Sequence, residues 1–177
     1  MRLTISGPPG SGKTTVCNKL SDILSLKAVV FGRIFRDIAA EYGMTLSELG
    51  DVAENDPSID EMIDSQILQM AIENDHIILE SRLAAYMLTN NNIHAFRIYL
   101  DASPDVRVAR IGIRDNESID KALIGTIERE ASEKKRYMTY YGIDLNDTSV
   151  YDLMVNTDNI DPDQVVQMIL DALEASL

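Results

Sequence analysis

A run of small residues near the start of the chain has the spacing of a phosphate cradle. It reads GPPGSGKTT over residues 7–15 and fits the pattern G-x-x-x-x-G-K-[ST]. Glycines at such positions let backbone N–H groups turn towards one anion, and the positive end of the following helix adds to the attraction. Lys13 would reach the β- and γ-phosphates of a nucleoside triphosphate, and the Thr14 hydroxyl would ligate Mg²⁺. The sequence therefore predicts a triphosphate site formed by Gly7, Pro8, Pro9, Gly10, Ser11, Gly12, Lys13, Thr14 and Thr15.

Basic residues are distributed unevenly along an acidic chain. The chain has 177 residues and a formal net charge of −13, and ten of its sixteen Lys and Arg residues lie between positions 82 and 136. No Lys or Arg follows Arg136, whereas eight Asp or Glu residues do. The net charge argues against a nucleic-acid partner, because neutralising a phosphate backbone needs a basic surface. The concentration of guanidinium groups instead indicates a small-anion site.

Short apolar runs alternate with longer helical patterns, which is typical of parallel β-α-β units. Each run is followed by a helical pattern, so we expect a five-stranded parallel sheet covered by helices on both faces. The apolar runs occupy residues 2–6, 28–31, 76–80, 96–100 and 152–155. The chain length suits one α/β domain over residues 1–177.

Two segments are longer than a minimal β-α-β alternation requires. Residues 32–74 contain two or three helical patterns, and residues 115–145 form a polar helical excursion. Capping boxes starting at Thr45 and Ser58 mark two of the helix starts in the first segment. We expect both segments to be mobile insertions that close over two bound substrates.

Several classes of protein are excluded by the sequence. The Asn-Lys-x-Asp motif of GTPases is missing, because the only Asn-Lys pair, at residues 18–19, is followed by Ser21 at the Asp position. The chain is too short for the signature loop of a transport ATPase. No apolar run approaches the ~18 residues of a membrane span, and nothing resembles a signal peptide. We expect a cytoplasmic monomer that binds neither nucleic acid nor membrane, and the remaining class is a small kinase acting on two bound small molecules.

From end to end, the chain resembles archaeal-type cytidylate kinases, which belong to the nucleoside monophosphate kinase group of P-loop kinases. Five stretches carry the likeness: GPPGSGKTT, FGRIFRDIAAEYGM, SIDEMIDSQ, ILESRLAAYML and EREASEKKRYMTYYGIDLNDTSVYDLMVNT. The resemblance implies a three-layer α/β/α fold with strand order 2-3-1-4-5, a monophosphate-binding insertion near 32–74 and a lid near 115–145. It also implies Mg²⁺-dependent transfer of the γ-phosphoryl group of ATP to CMP and dCMP, which gives ADP and CDP or dCDP.

Two motifs provide candidate ligands for the acceptor phosphate. Gly32 follows the second strand and Arg36 lies one helical turn later, which resembles the Gly-x-x-x-Arg element that holds the monophosphate in such kinases. Arg82 follows the third strand, where open α/β sheets bind ligands, and Glu80 is placed to hold Mg²⁺ through a water. The family usually has glycine where this chain has Ser81, so the backbone there need not approach the ligand as closely.

Arginines of the second insertion are candidates for contacts to the transferred phosphoryl group. Arg129 and Arg136 are seven residues apart and therefore share one helix face. Their guanidinium groups would neutralise charge in the transition state. Arg110, with Arg114 one turn later, is expected to stack on adenine or to touch a phosphate.

The identity of the acceptor base follows mainly from the resemblance. A carboxylate of Asp60 or Asp64 would accept a hydrogen bond from the exocyclic amine of cytosine, but both residues would also suit a solvent-facing acidic helix start. Both interpretations stay open at this stage. Other enzymes of the same architecture are the alternative, namely adenylate, uridylate or coenzyme-precursor kinases, and an ATP-dependent switch protein is a further one.

Overall fold

The computed structural model describes residues 1–176. The first strand is β1 (Arg2–Ser6). The second strand runs directly into a helix, whereas short connections separate each of the other strands from the helix that follows it. The remaining elements of the described chain are α1 (Lys13–Leu24), β2 (Lys27–Val30), α2 (Phe31–Glu41), α3 (Leu46–Ala53), α4 (Pro57–Glu73), β3 (Ile77–Glu80), α5 (Ala84–Asn90), β4 (Phe96–Asp101), α6 (Pro104–Asp115), α7 (Ile119–Tyr141), β5 (Leu153–Asn156) and α8 (Pro162–Ala175).

The five strands form one parallel sheet in the order β2-β3-β1-β4-β5, which confirms the predicted fold class. Strand β1 lies at the centre, where Leu3 is in register with Ile78 on one side and with Phe96 on the other. The carboxyl ends of β1 and β3 are therefore adjacent, and the segments that follow them meet at one edge of the sheet. This edge is where open α/β sheets bind ligands.

Alternate strand residues face two separate cores, as a sheet covered on both faces requires. Ile78 packs with α1 and α8, whereas Ile77 and Leu79 pack with α4 and α5. Cys17 is fully buried in the first of these cores, and burial raises the pKa of its thiol to about 12. The cysteine is therefore a structural apolar residue.

The first insertion consists of α2, α3 and α4. Of the two capping boxes predicted at the starts of these helices, one is confirmed and one is wrong. Thr45 caps α3 in a capping box with Glu48, as predicted. The predicted box at Ser58 is wrong, because α4 begins at Pro57 and its N-cap is Asp56, two residues before Ser58. Asp56 accepts a hydrogen bond from the Ser58 backbone N–H at 3.0 Å, and Pro57 occupies the first turn, where it has no N–H to satisfy.

The second insertion is one continuous helix of 23 residues, α7, that contacts the first insertion. The Tyr140 hydroxyl donates to the carbonyl of Ala53 at 2.7 Å, Lys135 pairs with Glu54, and Ser47 donates to Glu128. The two insertions therefore share a packed interface, and their movement over bound substrates stays a prediction. Within residues 1–176, no helix is long and apolar enough to cross a membrane.

Candidate active site

The phosphate cradle connects β1 to α1 in a conformation that requires glycine. Gly7, Gly10 and Gly12 have φ angles of 142°, 81° and 90°, in the range that side chains disfavour. A Cβ on Gly7 would lie 2.0 Å from the Leu100 carbonyl oxygen, and one on Gly10 would lie 2.6 Å from that of Arg107. Gly12 provides no side-chain cap for α1, so the first backbone N–H groups of α1 are free to bind an anion.

Lys13 lies at the start of α1 with its ammonium directed back over the cradle. Its Nζ donates to the Pro8 carbonyl at 2.8 Å. Burial among the cavity walls lowers the pKa of Lys13 to about 7, an effect that the Glu80 carboxylate opposes and that Arg82 and Arg129 reinforce. A bound triphosphate would favour the charged ammonium, so the site is electrostatically incomplete without an anion.

Thr14 and Glu80 form a donor pair that suits Mg²⁺. The Thr14 hydroxyl donates to Glu80 Oε2 at 2.8 Å, and Glu80 is buried at the end of β3. No group of three or more His, Cys, Asp or Glu in residues 1–176 is arranged to hold a metal by itself. One carboxylate, one hydroxyl and the oxygens of a bound phosphate are the mixed ligand set with which Mg²⁺ is usually held, and the residues present fit it.

Arg36 is a cation without a protein anion at the cavity wall. It lies half-buried on α2, and no carboxylate of the described chain pairs with it, in contrast to its neighbour Arg33, which faces Asp37. Burial lowers the pKa of Arg36, and repulsion by Arg114 and Arg129 adds to this effect. Such a mutually repelling group of guanidinium ions is stabilised when a phosphate binds between them.

Arg82 and Arg129 meet across a buried carboxylate that the sequence analysis did not single out. Glu133 Oε1 accepts from Arg129 Nε at 2.8 Å, and Glu133 Oε2 lies 2.6 Å from Arg82 Nη2. Arg82 comes from the turn after β3, whereas Arg129 and Glu133 lie one turn apart on α7. The i,i+4 spacing of Arg129 and Glu133 is the signal that could have revealed the pair.

Arg136 is held in place more firmly than the prediction of a lid arginine implies. It is 3% exposed, and its Nη1 donates to both carboxylate oxygens of Asp60 at 2.9 Å. Its guanidinium also lies 5.3 Å from the ring centre of Phe35 and 5.6 Å from that of Tyr137. Burial raises the pKa of Asp60 to about 6, although Arg136 opposes this shift.

Asp64 lies one turn after Asp60 on the same face of α4, towards the cavity. The two residues are 5% and 3% exposed, so the interpretation of a solvent-facing acidic helix start is wrong. The Tyr141 hydroxyl donates to Asp64 Oδ2 at 2.9 Å, which leaves Oδ1 for a ligand. Burial raises the pKa of Asp64 to about 7.

Two arginines of α6 brace the cradle from behind. Arg110 donates to the Gly10 carbonyl at 3.3 Å and to the carbonyl of Thr157 at 2.6 Å. Arg107 donates to the Pro9 carbonyl at 3.1 Å and pairs with Glu130. Arg107 was missed by the sequence analysis, because nothing in its spacing separates a buried brace from a solvated helix face.

The cradle, α2, α4, the end of β3, α6 and α7 enclose one cavity of about 520 Å³. Gly7 and Pro8 lie behind its wall, whereas the cavity brings together all the other predicted site residues. These are Pro9, Gly10, Ser11, Gly12, Lys13, Thr14, Thr15, Gly32, Arg36, Asp60, Asp64, Glu80, Arg82, Arg110, Arg129 and Arg136. Phe35, Glu133 and Tyr137 also line it and were not predicted.

Solved structures of similar shape include the shikimate kinase of Bacteroides thetaiotaomicron, with a TM-score of 0.62 and 18% identity over 98% of both chains. At that identity, the similarity shows the fold of a P-loop kinase and no more. Among curated proteins, the cytidylate kinase of Sulfurisphaera tokodaii is 46% identical over 169 residues, which cover 96% of this chain and 93% of the relative. The cytidylate kinase of Halobacterium salinarum is 44% identical over 99% of this chain and 90% of its own length.

The family comparison covers most of the site described above. Residues 2–159 match the cytidylate kinase-like family, and this range contains the cradle, both insertions and every arginine that lines the cavity. With this match and the relatives above, the chain belongs to the cytidylate kinase-like family.

Proposed function

We propose that the protein is a cytidylate kinase that transfers the γ-phosphoryl group of ATP to CMP, and to dCMP, giving ADP and CDP or dCDP. The observation that carries the proposal is that one cavity is lined by two groups suited to bind a phosphate: the cradle around Lys13, and a separate group of guanidinium ions that includes Arg36 and Arg82. A hydrolytic switch protein needs only the first. Membership of the cytidylate kinase-like family supports the same reaction.

On the donor side, the cradle N–H groups and Lys13 bind the β- and γ-phosphates of ATP. Mg²⁺, held by Thr14 and Glu80 together with phosphate oxygens, would neutralise charge between the β- and γ-phosphates when bound. Arg110 fixes the cradle by holding the Gly10 carbonyl and contributes to the donor subsite from there. Arg107 braces the cradle in the same way, through the carbonyl of Pro9.

On the acceptor side, Arg36 and Arg82 bind the phosphate of CMP, with Gly32 in the wall beside Arg36. A phosphate oxygen of CMP attacks the γ-phosphorus in line, and the bond from that phosphorus to the β–γ bridging oxygen breaks as ADP leaves. No covalent enzyme intermediate forms. Arg129 stabilises the charge on the transferred group, and Arg136 adds positive potential from its fixed position beside Asp60.

The cytosine base is placed against α4. Asp64 Oδ1 would accept a hydrogen bond from the exocyclic amine of cytosine, while Asp60 stays paired with Arg136. Uracil has an acceptor oxygen where cytosine has that amine, so the ionised form of the Asp64 carboxyl would repel it. We also expect the protein to act as a monomer in the cytoplasm, without nucleic-acid or membrane partners, in keeping with its net charge of −13.

The reaction is tested by measuring ADP formation from ATP and Mg²⁺ with a panel of nucleoside monophosphates. We expect activity that depends on CMP or dCMP and is at least about tenfold weaker with UMP and AMP. Preference for AMP, UMP or another acceptor would favour one of the alternative kinases. ATP hydrolysis that no added monophosphate increases would contradict the proposed function and favour a switch protein.

Replacement of Arg36 separates the two subsites. The Arg36→Ala variant should raise the KM for CMP by about tenfold or more and change the KM for ATP by less than about threefold, because only the acceptor phosphate loses a charged ligand. Arg33→Ala is the matched control, since the side chain of Arg33 is 77% exposed on the same helix. An equal loss for ATP and CMP would show that Arg36 does not belong to the acceptor subsite.

Replacement of Asp64 tests base recognition. The Asp64→Asn variant presents an amide that donates to uracil, so its ratio of kcat/KM for CMP to that for UMP should fall by about tenfold or more. The control is Glu61→Gln on the exposed side of α4. An unchanged ratio would remove Asp64 from the base subsite.

The stability of the Asp64→Asn variant, relative to wild type, should depend on pH. Burial raises the pKa of Asp64 in the folded protein to about 7, above the value near 3.9 of an unfolded chain. A raised acid pKa makes the folded state lose stability as pH rises between these two values. Relative to wild type, Asp64→Asn should therefore gain stability in urea unfolding from about pH 4 to pH 7, and the gain should level off at higher pH. A gain independent of pH would show that Asp64 is not buried as a neutral acid.

A further inference from the structure

Glu133 is a buried carboxylate at the point where the acceptor subsite meets the second insertion. It is 4% exposed, and it lines the cavity together with Arg82 and Arg129. Arg129 Nε donates to one of its oxygens at 2.8 Å, and Arg82 Nη2 lies 2.6 Å from the other. One side chain thus joins an arginine from the sheet edge to an arginine from α7.

The two contacts differ in kind. The Arg129 contact is an aligned hydrogen bond within one helix turn. The Arg82 contact is an ion pair whose atoms are close but not in line for a hydrogen bond. Each contact uses a single nitrogen of a guanidinium that has three, so two nitrogens of each arginine are left to bind phosphate oxygens.

No other carboxylate of residues 1–176 pairs with Arg82 or Arg129. Burial alone would raise the pKa of Glu133, but Arg82 and Arg129 hold it at about 2, so the group is ionised at any physiological pH. Its charge offsets the repulsion between the two guanidinium ions and the nearby Lys13. Without that charge, two partly buried cations would separate or turn towards solvent.

We propose that Glu133 is a positioning residue, which holds the guanidinium groups of Arg82 and Arg129 at a fixed spacing so that the acceptor phosphate and the transferred phosphoryl group meet donors already in place. This role rests on the proposed phosphoryl transfer. It extends that function to a residue that touches neither substrate, because both of its oxygens face protein cations.

The kinetic test compares Glu133→Gln with Glu128→Gln, an exposed position on the same helix whose hydrogen bond from the Ser47 hydroxyl the Gln amide oxygen would also accept. The first variant should lower kcat by about 100-fold and change the KM for ATP by less than about threefold, because donors of the transition state are displaced while the cradle is intact. Glu128→Gln should match wild type. A kcat of Glu133→Gln within about twofold of wild type would overturn the proposal.

A double-mutant cycle separates positioning from a general effect on the fold. If Glu133 acts through Arg82 and Arg129, then Glu133→Gln should cost less than about threefold when it is added to a variant in which both arginines are replaced by Ala. The same loss in both backgrounds would overturn the proposal. If Glu133→Gln does not fold, Glu133→Asp keeps the charge but has a shorter reach. It should fold and still lose about tenfold in kcat, and wild-type kcat in that variant would equally overturn the proposal.

An NMR measurement on the ligand-free protein does not depend on the reaction. The Nε–H signal of Arg129 should exchange slowly with water in wild type and in Glu128→Gln, and rapidly in Glu133→Gln or Glu133→Asp. Rapid exchange in wild type would contradict the role of Glu133 even if the enzyme is active. If the wild-type protein shows slow exchange but phosphorylates no nucleoside monophosphate, the proposed function is contradicted, whereas the role of Glu133 in holding Arg129 stands.

Discussion

Repulsion among cations collected in one partly buried cavity is the constraint on which the rest of the structure depends. Guanidinium and ammonium ions lose hydration there, so each needs an anion or leaves the folded state less stable. Arg136 is paired with the carboxylate of Asp60, and Arg82 and Arg129 share that of Glu133. Lys13 and Arg36 are not paired in this way, and their lowered pKa values record the deficit. These unpaired charges are therefore where we expect phosphate to bind.

The same constraint explains how the insertions are arranged. Asp60 on α4 and Arg136 on α7 are far apart in the chain, yet they form a buried ion pair in which Arg136 Nη1 donates to both carboxylate oxygens of Asp60. With the Tyr140 and Lys135 contacts to α3, this pair couples the acceptor-side helices to the helix that carries Arg129. Any movement of α7 would therefore be linked to movement of α3 and α4, so acceptor binding would affect the position of Arg129, the proposed contact of the transferred group.

Local patterns in the sequence predicted the fold and most of the cavity lining. The cradle and the five-stranded parallel sheet follow from rules that need only neighbouring residues, such as glycine spacing and the alternation of strand and helix, whereas the strand order was implied by the family resemblance. The pairing of charged residues that are far apart in the sequence was not predictable in this way. Asp60 was taken as a possible base ligand, but its two oxygens are occupied by Arg136, which no local rule indicates. The roles of Arg107 and Glu133 depend on the same kind of long-range contact.

The central claim is that donor and acceptor phosphates occupy one continuous site. It is tested most directly by calorimetric titration with a bisubstrate compound in which adenosine and cytidine are joined through their 5′ positions by five phosphates. We expect one bound molecule per chain and an affinity at least about 100-fold higher than that for ATP, because linking the two ligands removes the cost of binding the second. An affinity no higher than that for ATP alone would contradict it.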